Sequence, residues 1–265
     1  MILVRRIISA VVLVAVIITA IFCEAIFSLA IMAFIILGLY EFFTMLEKKG
    51  ISIYKYFGIA LGSLIPLSIL FRFELTKRWE LLFIVLTVIF LIIMQFKRRN
   101  NSGVVIDIST TLFGILYVSW FLSFLIKIRY LSGGIGLLSA VLLITKGGDI
   151  GAYLIGIRFG KTPLIPRISP KKSVEGSIGG IIFSILGALA VRPFLQLSWI
   201  HLVWLGIFLG LLGQLGDLSE SLIKRDCGVK DSGNILPGMG GILDELDSLL
   251  FTAPVFYFYA SIILK

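Results

Sequence analysis

Nine runs of apolar residues, at 7–23, 25–46, 56–71, 81–96, 108–126, 131–157, 178–191, 200–222 and 242–264, limit what this chain can become. A run of about 17–25 such residues crosses a bilayer as a helix. Hydrocarbon offers backbone groups no partner outside their own segment, so helices rather than open strands are required. No short alternating segments of the kind a barrel needs are present. With 58% hydrophobic residues and a mean hydropathy of +1.07, the chain is not a soluble domain. We expect an all-α fold, a polytopic integral membrane bundle of about nine transmembrane helices. The third, fourth and seventh runs are short for a full crossing.

A net charge of +9 suggests nucleic acid only until the charges are placed. Basic residues are retained in cytoplasmic loops. With Arg5 and Arg6 inside and nine alternating crossings, 16 of the 24 Lys and Arg fall on the inner side and 7 on the outer, with Lys146 within a span. The N-terminus is therefore expected in the cytoplasm, the C-terminus outside, and the two richest loops, 158–176 and 224–241, on the cytoplasmic face. The basic, apolar start resembles a signal peptide but has no small-x-small cleavage site, so a retained first helix is expected. Cys23 and Cys227 imply neither a disulfide nor a thiol-ligated metal.

Chemistry is unevenly spread. Residues 1–130 read as hydrophobic scaffold hairpins and 131–265 as a working half, in one continuous membrane domain. The densest segment is SESLIKRDCGVKDSGNILPGMGGILDELD, residues 219–247. Charge beside lipid is costly and marks a functional site by default. Asp217, Glu220, Ser221 and Lys224 fall at i, i+3, i+4 and i+7, one face of a helix; for Lys224 alone a solvated helix end explains as much. Asp244 and Asp247, at i and i+3, share a face of the next helix, where capping of the helix N-terminus is the plainer alternative. Three carboxylates, Asp217, Asp244 and Asp247, make an all-oxygen set suited to Mg²⁺ rather than zinc. Between them, Lys224, Arg225, Lys230 and Asp231 precede Gly238, Gly240 and Gly241, a cationic, glycine-rich loop running into a helix start and suited to polyphosphate.

A second constellation holds Lys146, Asp149 and Tyr153 on one helix face, where a structural Lys146–Asp149 pair explains the pattern as well as a ligand role does. It continues into Ser169, Lys171, Lys172, Ser173 and Glu175, whose hydroxyls and cations suit a phosphate or anionic headgroups. Glu41 and Asp107 are expected as buried partners or waterline groups. His201, the sole histidine, is expected at an interface, and no Ser–His triad context accompanies it.

At these residues the chain resembles the phosphatidate cytidylyltransferases, or CDP-diacylglycerol synthases, of bacterial type. The resemblance lies in Ser221, Lys224, Arg225, Lys230, Asp231, Leu236, Pro237, Gly238, Gly240, Gly241, Asp244 and Asp247. It extends to Asp149, Ala152, Tyr153 and Gly156 and to the loop Ser169-Pro170-x-Lys172-Ser173-x-Glu175-Gly176. The motifs cover roughly residues 145–250. Met239 stands where the family has His, and Glu245 where it has Arg.

The resemblance implies Mg²⁺-dependent transfer of cytidylyl from CTP to phosphatidate with release of pyrophosphate, a second cation such as K⁺, and a homodimer among membrane lipids. Asp217, Asp244, Asp247 and Lys224 would be catalytic. Ser221, Arg225 and Lys230 with the loop glycines would hold the nucleotide, and Ser169, Lys171, Lys172 and Ser173 the lipid phosphate. Lys146, Asp149, Tyr153 and Glu175 would support them. Rival readings are a CTP-dependent polyprenol or phytol kinase, a transporter and a non-catalytic scaffold; a transporter would repeat its polar motifs in both halves. A small-residue face at Gly206, Gly210 and Gly213 is open to helix approach, between copies or within one chain.

Overall fold

The computed structural model describes residues 19–71, 79–96, 102–238 and 240–263. Nearly all of them are helical: α1 (Glu24–Lys48), α2 (Lys55–Leu70), α3 (Trp79–Gln95), α4 (Val104–Tyr130), α5 (Gly134–Phe159), α6 (Val174–Ala190), a single turn α7 (Arg192–Leu195), α8 (Trp199–Asp226) and α9 (Ile242–Ile263). Among the described residues five helices, α1, α4, α5, α8 and α9, are long and apolar enough to cross a membrane. α2, α3 and α6 are apolar but shorter. The expected first crossing lies largely outside the described residues.

One departure from an all-helical reading is a short antiparallel hairpin, β1 (Pro163–Ile165) with β2 (Ser169–Ser173). It occupies the basic segment between α5 and α6, where backbone outside lipid is free to pair as strands.

The chain divides into two compact units. One holds residues up to Ile126 together with Cys227–Leu243; the other holds Lys127–Asp226 and the residues from Asp244 on. In the first, α1 supplies a buried stripe of Ile31, Ile35, Leu39, Phe42 and Phe43. Gly58 and Gly62 of α2 and Gly114 of α4 leave room for its Leu39, Phe42 and Phe43, since a methyl at any of them would collide with those side chains. A wide turn at Ile115–Trp120 interrupts α4, and within it Ser119 donates to the Gly62 carbonyl at 2.5 Å. At the end of α1, the Lys55 ammonium binds Thr44 and Glu47 and stacks over Tyr40 at 4.0 Å.

The second unit packs α5, α6 and α8 tightly through glycines. Gly148 faces Ser184, Gly151 faces Phe183, Gly179 faces Ile155, and Gly206 faces the Ser184–Ile185 backbone. Gly210 lies against Ser184 and Ile181, and Gly213 against Thr145, Ser248 and Thr252. The small-residue face expected on α8 is thus spent inside the chain. Helices in lipid gain little from apolar burial alone and associate through such close backbone approach and through hydrogen bonds. Those bonds are present: Ser184 to the Ile144 carbonyl at 3.0 Å, Thr145 to Thr252 at 3.1 Å, and a two-way link between Ser177 and Gln214.

Candidate functional site

The polar interior of the second unit is built where α8 and α9 cross. Gly216 makes the crossing close, because a Cβ there would strike the Asp247 carbonyl. On α8, Asp217, Glu220 and Lys224 line one side at helical spacing. On α9, Asp244 and Asp247 do the same one turn apart.

Lys224 is the organiser of this interior. Its Nζ lies 2.5 Å from Asp244 Oδ1 and 3.3 Å from Glu220 Oε1, so one ammonium serves two helices. Glu220 is fully buried, and neither of its carboxylate oxygens receives a hydrogen bond. Asp217 is met from the hairpin: Lys172 Nζ stands 2.6 Å from its Oδ2. Asp247 is 7% exposed and accepts the Ser248 N–H at 2.6 Å.

A second cluster ties α5 to α9. All three Lys146 donors are used, on Asp149 Oδ2 at 2.9 Å, the Glu245 carbonyl at 2.7 Å and Ser248 Oγ at 2.9 Å. Ser248 in turn donates to Asp149 at 2.8 Å, closing a three-membered network. The structural reading of the Lys146–Asp149 pair is the one this geometry carries. Tyr153, expected on the same face, is 66% exposed.

The hairpin brings its own order. Ser173 caps α6 by accepting the Gly176 N–H at 3.1 Å. Glu175, in the first turn, accepts the backbone N–H of Lys161 at 3.1 Å and of Thr162 at 3.2 Å. Its own backbone N–H together with those of Lys161 and Thr162 holds its carboxyl down at about 2. Ser173 and Glu175 therefore shape the segment, whereas Lys171 is exposed and Ser169 half-buried on β2. Arg225, expected at the nucleotide, donates from Nε to the Ile168 carbonyl at 3.2 Å and so ties the end of α8 to the hairpin turn. Ser221 lies half-buried on α8.

The glycine-rich loop belongs to the first unit. Lys230 and Asp231 are exposed. Leu236 and Gly240 exchange backbone hydrogen bonds at 2.9 and 3.2 Å, and Gly238 and Gly240 have φ of +82° and +113°, a region glycine enters without strain. Gly241 faces the Glu41 carboxylate, where a side chain would collide. Met239 lies outside the described residues.

Among the described residues no three His, Cys, Asp or Glu side chains stand close enough together to hold one metal ion as they are. The donor chemistry nevertheless fits a hard divalent cation: four carboxylates on two crossing helices, one of them, Glu220, accepting no hydrogen bond at either oxygen. One residue of this interior, Ser248, was not singled out from sequence, since it gives no signal beyond being polar in an apolar run. Glu220 was placed on the Asp217 face, but only the crossing shows it sealed from water.

These features define a helical membrane protein with a charge-paired interior and a basic hairpin beside it. The chain belongs to the Cytidylyltransferase family, whose profile matches residues 4–263. It is 35% identical to a phosphatidate cytidylyltransferase of Synechocystis over 98% of this chain and 97% of that protein. It is 37% identical to one of Thermotoga maritima over 85% of this chain and 84% of that one. A 40% identity to the uncharacterised protein YnbB of Escherichia coli covers 56% of this chain, which spans half the length of that relative.

Proposed function

We propose that this chain is an integral-membrane phosphatidate cytidylyltransferase, converting CTP and phosphatidate to CDP-diacylglycerol and pyrophosphate. The observation that carries the reading is the Lys224 bridge between Glu220 and Asp244 at the α8–α9 crossing, in a chain that belongs to the Cytidylyltransferase family along its length.

In this reaction an oxygen of the phosphatidate phosphate bonds to the α-phosphorus of CTP while the α–β phosphoanhydride bond breaks and pyrophosphate leaves. A phosphate monoester is already mostly ionised near pH 7, so no strong general base is needed and a Met at 239 in place of His is compatible with turnover. The difficulty is bringing two anions together. Lys224, Arg225 and Lys230, with Ser221 and the backbone N–H groups near Gly238, Gly240 and Gly241, are our assignment for the triphosphate. Lys171 and Lys172, with Ser169 and Ser173, are assigned to the lipid phosphate; Lys172 leaves its Asp217 partner as that phosphate arrives. Asp217, Asp244 and Asp247 are assigned to Mg²⁺, with a second cation such as K⁺ in the same cluster. Such a cation, when bound, offsets phosphoryl charge as it builds up. Lys146, Asp149 and Ser248 keep α9 in register against α5.

We place the protein in a bacterial inner membrane, in keeping with its bacterial relatives, with about nine crossings from its apolar runs and a cytoplasmic N-terminus from the bias of Lys and Arg between loops. Phosphatidate then stays in the bilayer and CTP reaches the basic loops from the cytoplasm.

The test is incubation of the purified protein in detergent with phosphatidate, Mg²⁺ and α-labelled CTP. Label entering the lipid with release of pyrophosphate supports the reading. Phosphate from γ-labelled CTP in the lipid, with CDP released, replaces it by a lipid kinase. Transfer only after Met239→His and Glu245→Arg together marks those two positions as having redirected the site.

A further inference from the structure

We propose that Glu41, far from the charged segments in sequence, is a positioning residue that holds the glycine-rich loop closed and fixes the first turn of α9. It rests on the functional reading above only for its effect on turnover.

Glu41 sits on α1 among aromatic and aliphatic residues and is 2% exposed. A carboxylate there is costly unless its oxygens are satisfied. They are: Oε1 accepts the Ile242 N–H at 3.0 Å, and Oε2 accepts the Leu243 N–H at 2.9 Å and the Ser232 hydroxyl at 3.1 Å. Ile242 and Leu243 are the first residues of α9, whose early N–H groups have no partner inside the helix. A negative charge at that end is also favoured by the helix dipole. The carboxylate thus caps α9 from another segment, and Ser232 draws the loop into the same grip.

Two glycines confirm how tightly the loop closes. A Cβ on Gly233 or on Gly241 would run into Glu41, and neither glycine has the left-handed backbone that would otherwise explain it. Their absence of a side chain answers to Glu41 and, at Gly241, to Ser232 as well. Asp244 and Asp247 follow one and four residues after Leu243 on the same helix, so the turn Glu41 fixes is the turn that presents them. A displacement of about 1 Å at such groups is enough to lower turnover a hundredfold.

The experiment uses Glu41→Gln, Glu41→Ala, Gly233→Ala and the Gly233→Ala/Glu41→Ala double variant. Gln keeps the shape but brings an NH₂ against a backbone N–H in either orientation. We expect Glu41→Gln to speed amide hydrogen exchange across 232–243 about tenfold or more, with kcat for cytidylyl transfer falling at least as much and KM for CTP moving less. Gly233→Ala should be harmful alone and nearly neutral once Glu41 is Ala, because the wall it strikes has gone.

Unchanged exchange at 241–243 in Glu41→Gln overturns the proposal. So does faster exchange with unaltered kcat, or independent losses in the double variant. If Glu41→Gln does not fold, Ser232→Ala, which removes one donor without stranding another, is judged by the same exchange and kcat criteria. A wild-type chain that transfers no cytidylyl group sinks the functional reading instead, and the exchange and the Gly233/Glu41 coupling then decide the grip by themselves.

Discussion

Lys224 on α8 and Asp244 on α9 meet at 2.5 Å, and the same ammonium stands 3.3 Å from the sealed Glu220 carboxylate. One lysine thereby balances two acids from two helices. Removing one member of a buried pair leaves an uncompensated charge, which costs far more than the pair contributes.

Lys224→Met should therefore destabilise the protein by about 3–5 kcal/mol, read as a drop in melting temperature in detergent. Adding Glu220→Gln should return part of that loss, because the stranded charge is then gone. A Lys224→Met protein as stable as the wild type would show that water reaches this interior.

Asp244→Asn keeps shape and removes charge. We expect no detectable cytidylyl transfer, a fold retained by circular dichroism and loss of Mn²⁺ binding by calorimetry. Asp217→Asn and Asp247→Asn should weaken the same binding. Unaltered Mn²⁺ affinity in all three would remove the carboxylates from the cation assignment.

Glu175 makes a prediction in pH. Its folded carboxyl is held at about 2, below the ordinary 4.5. A depressed carboxyl stabilises where it is ionised, so its contribution is full above about 4.5 and is lost as pH falls toward 2. Protection of the Lys161 and Thr162 amides, corrected for intrinsic exchange, should hold from neutral pH down to about 4.5 and fade below it. In Glu175→Gln that protection should be low throughout and show no such step.

Gly206 abuts the Ser184–Ile185 backbone, which has no flexible end to yield. Gly206→Ala should cost about 1–3 kcal/mol and leave the oligomeric state in detergent unaltered. A change in oligomeric state without loss of stability would move that face to an interface between copies.

Much of this was readable along the chain. Apolar runs gave eight of the helices to within a few residues, because in lipid length and hydropathy leave the backbone one choice. The i, i+3, i+4 spacing of Asp217, Glu220 and Lys224, and of Asp244 and Asp247, placed each set on its own helix face. The hairpin at Pro163–Ser173 was hidden, since its second strand, four polar residues interrupted by Pro170, carries no strand periodicity and pairs only when a turn brings it back on the first.

Sequence alone thus determined the lipid-facing helices and the segment in which charge is concentrated, since both follow from local composition against a bilayer. Which acid meets which lysine was decided only in three dimensions. Lys172 reaches Asp217 from 45 positions away, and Glu41 grips Ile242 across 201. No local pattern encodes such partners, because the energy that selects them is the cost of leaving a buried charge or helix N–H unmatched. The close helix crossings that glycines permit determine which groups are there to meet it.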